Sequence, residues 1–413
     1  MRILRISIVS SILCFTGTLA SAQIQSASQL SGRRNVITTA VPFLMITPDS
    51  RSGAMADAGV AITPDANSTH WNPSKLAFVE NEFGFALSYT PWLKALVPDI
   101  NLSYLSGYKK IDEFQSFGGS LRYFSLGDIA FTDQFGASLG DFRPYEFAID
   151  GTYARKLSDN FSVGVSLRFI YSNLAGNTPL TNGGETQPGT AVAGDLSAYY
   201  ENETELFGYE GTLAFGGNIS NIGSKITYTD ETERDFIPIN LRLGSYLNLE
   251  LDEYNEIGFT MDLNKLLVPT SPIYKLDSNG QFIPVQGSSD FEIERGENPD
   301  QPVIAGMIQS FYDAPGDSTT SGFVEELREI NPSIAIEYWY DQQFALRAGY
   351  FYEHPTKGNR QYLTLGVGLR YNVFGLDFAY LVPTNSQKTT QRSPLENTLR
   401  FTLLFNFESD SQQ

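Results

Sequence analysis

Thiols, histidines, basic residues and long apolar stretches are all scarce in this 413-residue chain, and each scarcity removes a class of function. Cys14 is the single cysteine and lies inside the apolar run from Ile6 to Ala20. Arg2 and Arg5 precede that run and the small-x-small triplet Ala20-Ser21-Ala22 closes it, so residues 1–22 read as a signal peptide for export. Cleavage there would leave a mature chain from Gln23 without a thiol, hence without disulfides or thiolate metal sites. The two histidines, His70 and His354, are far apart, and the sequence has no Gly-x-Ser-x-Gly, His-Glu-x-x-His or phosphate loop. The expectation is no enzyme, no catalytic residue, no metal and no cofactor; Asp290, Glu292 and Glu294 are a neighbourhood of acids of the kind any acid-rich chain contains. After residue 20 no stretch reaches the eighteen or so apolar residues of a membrane helix, so any span must be built from strands. Lysine and arginine number 28 against 47 acids, and loss of Arg2 and Arg5 would take the net charge from −19 to −21, which argues against nucleic acid as a partner.

What the chain has in abundance is alternation. Phe161, Val163, Val165, Leu167, Phe169 and Tyr171 share one parity, with Ser162, Gly164, Ser166 and Arg168 on the other. Leu363 to Tyr371 and Ile257 to Leu263 repeat the pattern. A soluble sandwich also alternates, but its polar face should be rich in lysine; here that face is glycine, serine, threonine and isolated charges. Tyr123, Tyr171 and Tyr371 end apolar faces, as an aromatic girdle at a lipid interface would. The fold expected is therefore all-β, a 14-stranded antiparallel transmembrane β-barrel over residues 81–407, with a short tail at 408–413. Strands read near 82–90, 100–109, 115–126, 144–156, 161–172, 207–219, 225–229, 237–249, 256–266, 332–340, 344–352, 361–371, 375–383 and 397–407. Connections at 110–114, 157–160, 220–224, 251–255, 341–343 and 372–374 are short and would be periplasmic. Those at 127–143, 173–206, 267–331 and 384–396 are long and would face outward, which leaves the C-terminus periplasmic.

Two regions depart from the alternation. Residues 23–80 precede the first strand and carry a small-residue stretch around Met55 that ends in Asn72-Pro73, the last two residues of a trio begun by Trp71. A barrel this wide is either water-filled or plugged, so the segment is expected to be a plug, with Pro48, Asp49, Arg51, Met55, Asn72 and Pro73 as its motif; a periplasmic tail is the alternative. The loop 267–331 holds eleven acidic residues against three basic ones. Lys265, Pro269, Phe311, Tyr312, Asp313 and Pro315 are its candidate partner-binding residues, a short helix is expected from Phe323 to Ile330, and a purely solvated loop stays open as the bland reading. Parity also places Arg122, Arg168, Arg242, Asp262, Glu337, Arg347, Arg370 and Arg400 on the lumen face. A charge facing lipid at mid-membrane costs roughly 2–4 kcal/mol, so inward placement and mutual pairing are expected.

With a plug ending in Asn-Pro and fourteen strands, the chain resembles the FadL/TodX superfamily of outer-membrane barrels, although Ser74 stands where that hatch motif has an alanine-like third position. It resembles more closely the PorV (LptO) family of the Bacteroidetes type IX secretion system. The words that carry this are Pro42-Phe43-Leu44, Pro48 to Met55, Asn72-Pro73, Asp262 to Thr270, Lys357-Gly358-Asn359-Arg360 and Asn397 to Phe401. The sister family PorQ is usually shorter, so the long loop favours PorV. The resemblance implies a Gram-negative outer membrane and an attachment-complex subunit that receives cargo by its C-terminal signal domain. It implies association with a giant translocon barrel of the SprA/Sov type and delivery of cargo to a PorU-type signal peptidase, in contact with outer-membrane lipid and lipopolysaccharide. The superfamily also offers an alternative, transport of fatty acids or other hydrophobic small molecules. A lipid A deacylase would need a nucleophile–base pair that the sequence does not display.

Overall fold

The computed structural model describes residues 35–408 except 95, 96, 98, 133–137, 175, 177–185, 230–233, 278, 280, 287–289, 317–319 and 385–392. The signal-peptide reading, Cys14 and residues 409–413 lie outside the described residues. Fourteen strands follow: β1 (Phe83–Pro91), β2 (Asn101–Lys110), β3 (Gln115–Ser125), β4 (Tyr145–Ser158), β5 (Phe161–Asn173), β6 (Gly189–Leu206), β7 (Tyr209–Gly223), β8 (Asn240–Asp252), β9 (Asn255–Leu266), β10 (Asn331–Tyr340), β11 (Phe344–Tyr352), β12 (Gln361–Tyr371), β13 (Phe374–Pro383) and β14 (Thr398–Phe407). Each pairs antiparallel with its sequence neighbours, and β1 pairs with β14 from Phe83↔Phe407 to Tyr89↔Phe401, which closes the barrel. Closure leaves none of these fourteen strands with an unpaired edge, the condition for a sheet to stand in hydrocarbon.

The alternation read from sequence is a lipid-facing band outside and a buried face inside. Leu87, Leu105, Ile149, Leu167, Leu196 and Leu243 are exposed on the outer surface, whereas Ser88, Ser106, Asp150 and Arg168 are buried. Rings collect at both rims: Tyr123, Tyr145 and Tyr171 follow one another at 5.9 Å spacings, and Phe85 stacks on Phe405 at 4.7 Å near the other rim.

One part of the strand assignment needs correction. The stretch 173–206, expected as a long outward loop, contains β6 from Gly189 to Leu206, and 225–229 is no strand but carries a single bridge, Ile226↔Asp235. The count of fourteen is kept because one strand was missed and one was invented. The reason lies in β6's inward face, where Ala191, Ala193 and Tyr199 replace the polar residues of the other strands and blur the alternation. Its partner β7 is reached through Phe207-Gly208, both at positive φ (58° and 81°), the geometry of a tight hairpin turn. The turns at 207–208 and 253–254 therefore share one rim, and the long connections 224–239 and 267–330 share the other.

Before β1, a compact segment lies against the inward faces of the wall. A 3-10 turn (Pro42–Met45), helix α1 (Ser50–Ala54), helix α2 (Ser68–Trp71) and a second 3-10 turn (Pro73–Phe78) succeed one another in it. Almost every residue of this segment from Phe43 to Val79 is buried. Its two ends meet opposite rims: Asn35 N–H donates to Thr356 O and Ala40 N–H to Phe236 O at the long-loop end, while Lys110 Nζ donates to Val79 O at the short-turn end.

The described residues of the 267–330 connection form a cap over the long-loop rim. It contains the paired stretches Ile273–Tyr274 and Ile293–Arg295, helix α3 (Val303–Gln309) and helix α4 (Gly322–Arg328), the last close to the helix expected at 323–330.

Candidate functional site

The residues singled out in the N-terminal segment, called the hatch below for its place against the inward faces of the wall, are joined by hydrogen bonds. Asp49 caps α1, accepting from Ser52 N–H at 2.8 Å, and takes Trp71 Nε1–H at 2.6 Å with its other oxygen. Arg51 forks onto Glu337 of β10 through Nε (3.0 Å) and Nη2 (2.7 Å). Met55 is fully buried with Val60, Ala61 and Leu76. Pro48 is buried beside Asp49, and Pro73 opens the second 3-10 turn, where it gives up no N–H that the turn could use. Asn72, just before it, donates to Val60 O (2.9 Å) and Ala198 O (3.1 Å), tying the hatch to β6.

The inward charges form chains rather than isolated pairs. From Arg51 the chain runs to Glu337, to Arg347 (2.5 Å), to Asp377 (2.7 Å) and to Arg370 (2.7 Å). A second cluster holds Arg168 between Asp150 (2.6 Å) and Asp195 (3.1 Å). Asp262 accepts two hatch backbone donors, Gly59 N–H at 2.8 Å and Val60 N–H at 3.0 Å. Arg122 donates to Leu44 O at 2.7 Å and to His70 Nδ1 at 2.7 Å, which accounts for that histidine as a structural partner. Arg242 and Arg400 are equally buried but make fewer bonds.

Three acids of the cap, Glu325, Glu326 and Glu329, are turned onto two lysines. Lys265, at the end of β9, binds Glu326 (3.0 Å) and Glu329 (2.6 Å); Lys357, in the β11–β12 connection, binds Glu325 (2.6 Å) and Glu329 (2.9 Å). Thr270 donates its hydroxyl to Glu329 and its N–H to Asp313, and Ala314 N–H donates to Glu326. Burial pushes the Asp313 carboxyl up to about 6, against the lowering pull of the Thr270 N–H. Glu329 is also buried, yet the two ammonium groups outweigh that and hold it below its ordinary value. With the acids turned inward, the apolar faces of the short helices point out: Ile304 and Ile308 are each 60% exposed, Tyr312 64% and Phe323 73%, with Phe311 and Leu327 also exposed. Of the candidate loop residues, then, Phe311 and Tyr312 are on the surface, Lys265, Pro269 and Asp313 are buried beneath it, and Pro315 is intermediate. The two faces were readable, since Phe323 and Leu327 are spaced i, i+4 opposite Glu325 and Glu329, but which of them turns to water is set by Lys265 and Lys357.

Between hatch and cap, at the long-loop rim, lies a cavity of about 660 Å³, with an apolar side that includes Phe43, Trp92, Ile100 and Phe124 and a polar side that includes Arg242 and Arg400. Sequence reasoning placed both arginines inward but had no means of seeing the space above them.

No curated protein matched the sequence at a significant level. Solved structures with a similar fold include a toluene transporter from Pseudomonas putida, TodX (11% identity, 90% of this chain and 98% of that chain, TM-score 0.46). A deletion mutant of the TodX monoaromatic hydrocarbon channel (13%, 87% and 99%, TM-score 0.47) and a FadL homologue from Pseudomonas aeruginosa (11%, 91% and 100%, TM-score 0.43) are others. A family model described as type IX secretion system protein PorV matches residues 29–273, more than half of the chain, a span that takes in the hatch, nine strands and the start of the cap. The chain thus belongs to the PorV family, as an outer-membrane β-barrel of the type IX secretion system.

Proposed function

We propose that this barrel works as a cargo-handling adaptor: it receives exported proteins by their C-terminal signal domains, docks on a giant translocon barrel and hands cargo to a signal peptidase. In this reading the long-loop rim is extracellular, the short turns and C-terminus are periplasmic, and residues 35–80 are a plug. The observation that carries it is the cap, where Lys265 and Lys357 hold three glutamates inward and leave Phe323 and Leu327 facing water, and where Ile304, Ile308 and Phe311 are exposed as well. Large apolar side chains exposed in this number on one connection are the mark of a protein–protein contact. Transport of hydrophobic small molecules has less support. All fourteen strand pairs are laddered, including the β1–β14 seam, and the hatch is bonded to β6, β9 and β10 across the lumen.

The test is the double variant Ile308→Asp, Phe323→Asp. Its barrel should migrate as a folded, heat-modifiable species, while co-purification of the very large translocon barrel and surface display of cargo both fall by about tenfold or more, the scale expected for losing two buried apolar anchors. Undiminished display and co-purification in a folded double variant would remove the adaptor role from this surface.

A further inference from the structure

The mouth cavity contains donors and acceptors that the chain leaves without partners. Arg242 of β8, 4% exposed, donates Nε–H to Asn264 Oδ1 at 2.9 Å and lies over the Trp71 ring at 4.7 Å, but its Nη1 has no partner. Arg400 of β14, 1% exposed, comes within 3.7 Å of Asp57 Oδ1, and its Nε and Nη1 have no hydrogen bond. By contrast Arg51, Arg168, Arg347 and Arg370 each meet a carboxylate at 2.6–2.7 Å. Two buried acceptors that line the same space are also unsatisfied, Asn331 Oδ1 and Asp57 Oδ1. A buried polar atom without a partner costs about 1–3 kcal/mol. Here such atoms of both kinds gather at one cavity, opposite an apolar wall that includes Phe43, Trp92 and Phe124.

We infer that this cavity binds the C-terminal end of an apolar peptide, with the terminal carboxylate on Arg242 and Arg400. The peptide's backbone N–H groups would satisfy Asn331 and Asp57, and its apolar side chains would pack on the aromatic wall. A carboxylate complements guanidinium donors by charge, and both arginines line this cavity. The two orphaned acceptors select a peptide over a simple anionic amphiphile: a fatty carboxylate supplies acceptors only and would leave Asn331 and Asp57 unsatisfied. The continuous ladder around the wall also directs entry through the long-loop mouth rather than from lipid. A volume of about 660 Å³ lies within the range of small-ligand sites, roughly 300–1,000 Å³. This rests on the cargo-handling reading and deepens it, by assigning the site where a cargo's last residues are held.

The experiment uses the full-length mature barrel in lipid nanodiscs and fluorescence polarisation. The probes are a fluorescein-labelled peptide ending Val-Leu-Val-Phe with a free carboxylate, the same peptide as its C-terminal amide, and dodecanoate as competitor. The free acid should bind about tenfold or more tightly than the amide, the size expected for a charge-assisted hydrogen bond, and dodecanoate should not displace it. Arg242→Gln and Arg400→Gln should each abolish the preference for acid over amide while the barrel stays heat-modifiable on gels. A photoreactive group on the terminal Phe should crosslink to residues 36–46 of the unaltered chain, which keeps the test independent of whether the variants fold. Equal binding of acid and amide, displacement by dodecanoate, or no crosslink in that segment would overturn the inference. Co-purification of the translocon barrel, measured on the same unaltered preparation, separates the two claims: if it persists while peptide binding fails, the adaptor stands and this site does not.

Discussion

The lumen and the cap solve the same problem, buried charge, with opposite results. In the lumen, Arg51, Glu337, Arg347, Asp377 and Arg370 are supplied by the hatch and four wall strands, so every bond ties one element to another and the outer surface is left for lipid. In the cap, Glu325, Glu326 and Glu329 come from one short helix and its C-cap and are gathered by two lysines of the rim, so the bonds fix one segment and turn its apolar side to water. The first arrangement makes a scaffold whose failure is global. The second makes a presented surface whose failure is local.

Breaking the scaffold should have the largest effect. Glu337→Gln leaves Arg51 and Arg347 without their shared carboxylate, and removal of one partner from a buried ion network costs about 3–5 kcal/mol. The temperature at which the barrel loses its compact gel mobility in detergent should drop sharply; an unchanged temperature would remove the distinction between the two regions. Lys357→Met breaks a pair as deeply buried, with side chains 3% and 1% exposed, yet its effect should stop at the cap. Limited proteolysis is expected to cut within 303–329 while the barrel melts as before, and a barrel that melts early would mean that the cap is part of the scaffold. Smaller again is Asp262→Asn, which weakens a charge-assisted acceptor of two hatch amides by about 1.5–3 kcal/mol. Amide exchange at Gly59 and Val60 should speed up with little change elsewhere.

The smallest effect is that of pH. Burial raises Asp313 from 3.8 to about 6, so the folded cap binds this proton more tightly than the unfolded segment does, and the cap loses stability as pH rises through that interval. Glu329 has the opposite sign: held low by Lys265 and Lys357, it contributes stability above 4.5 that is lost as pH falls through its lowered value. Exchange protection at Thr270 and Ala314 should therefore increase from pH 7 to 5, then decline in stronger acid, and Asp313→Asn should flatten the first change only.

Barrel architecture was legible because a lipid exterior forces a parity on most strands; the same parity led Arg122, Arg168, Asp262, Glu337 and Arg347 to be expected inward, and all five are buried. Strand β6 escaped because its inward positions lie under the hatch, where Ala191, Ala193 and Tyr199 pack against protein instead of water or charge. In the cap, the acids were visible but not their direction. That depended on Lys265 and Lys357, distant in sequence from α4, and no local pattern reports which of two faces a distant ammonium group will claim. The mouth cavity was the least legible feature, since it is made by the meeting of hatch, wall and connection residues that are each ordinary alone.

The seam between the first and last strands has a consequence for how the molecule is made. Ser88 of β1 and Ser50 of the hatch both hydrogen-bond the Thr402 hydroxyl of β14, across as many as 352 residues of sequence. The final strand thus finds its register by touching, at one oxygen, both the strand it must join and the segment the wall encloses. The N-terminal segment is synthesised first and the seam last, so these bonds can form only once the two ends of the chain have met. Such long-range closure is slow, and a chain that misplaces the hatch loses the gauge by which it knows that closure is complete.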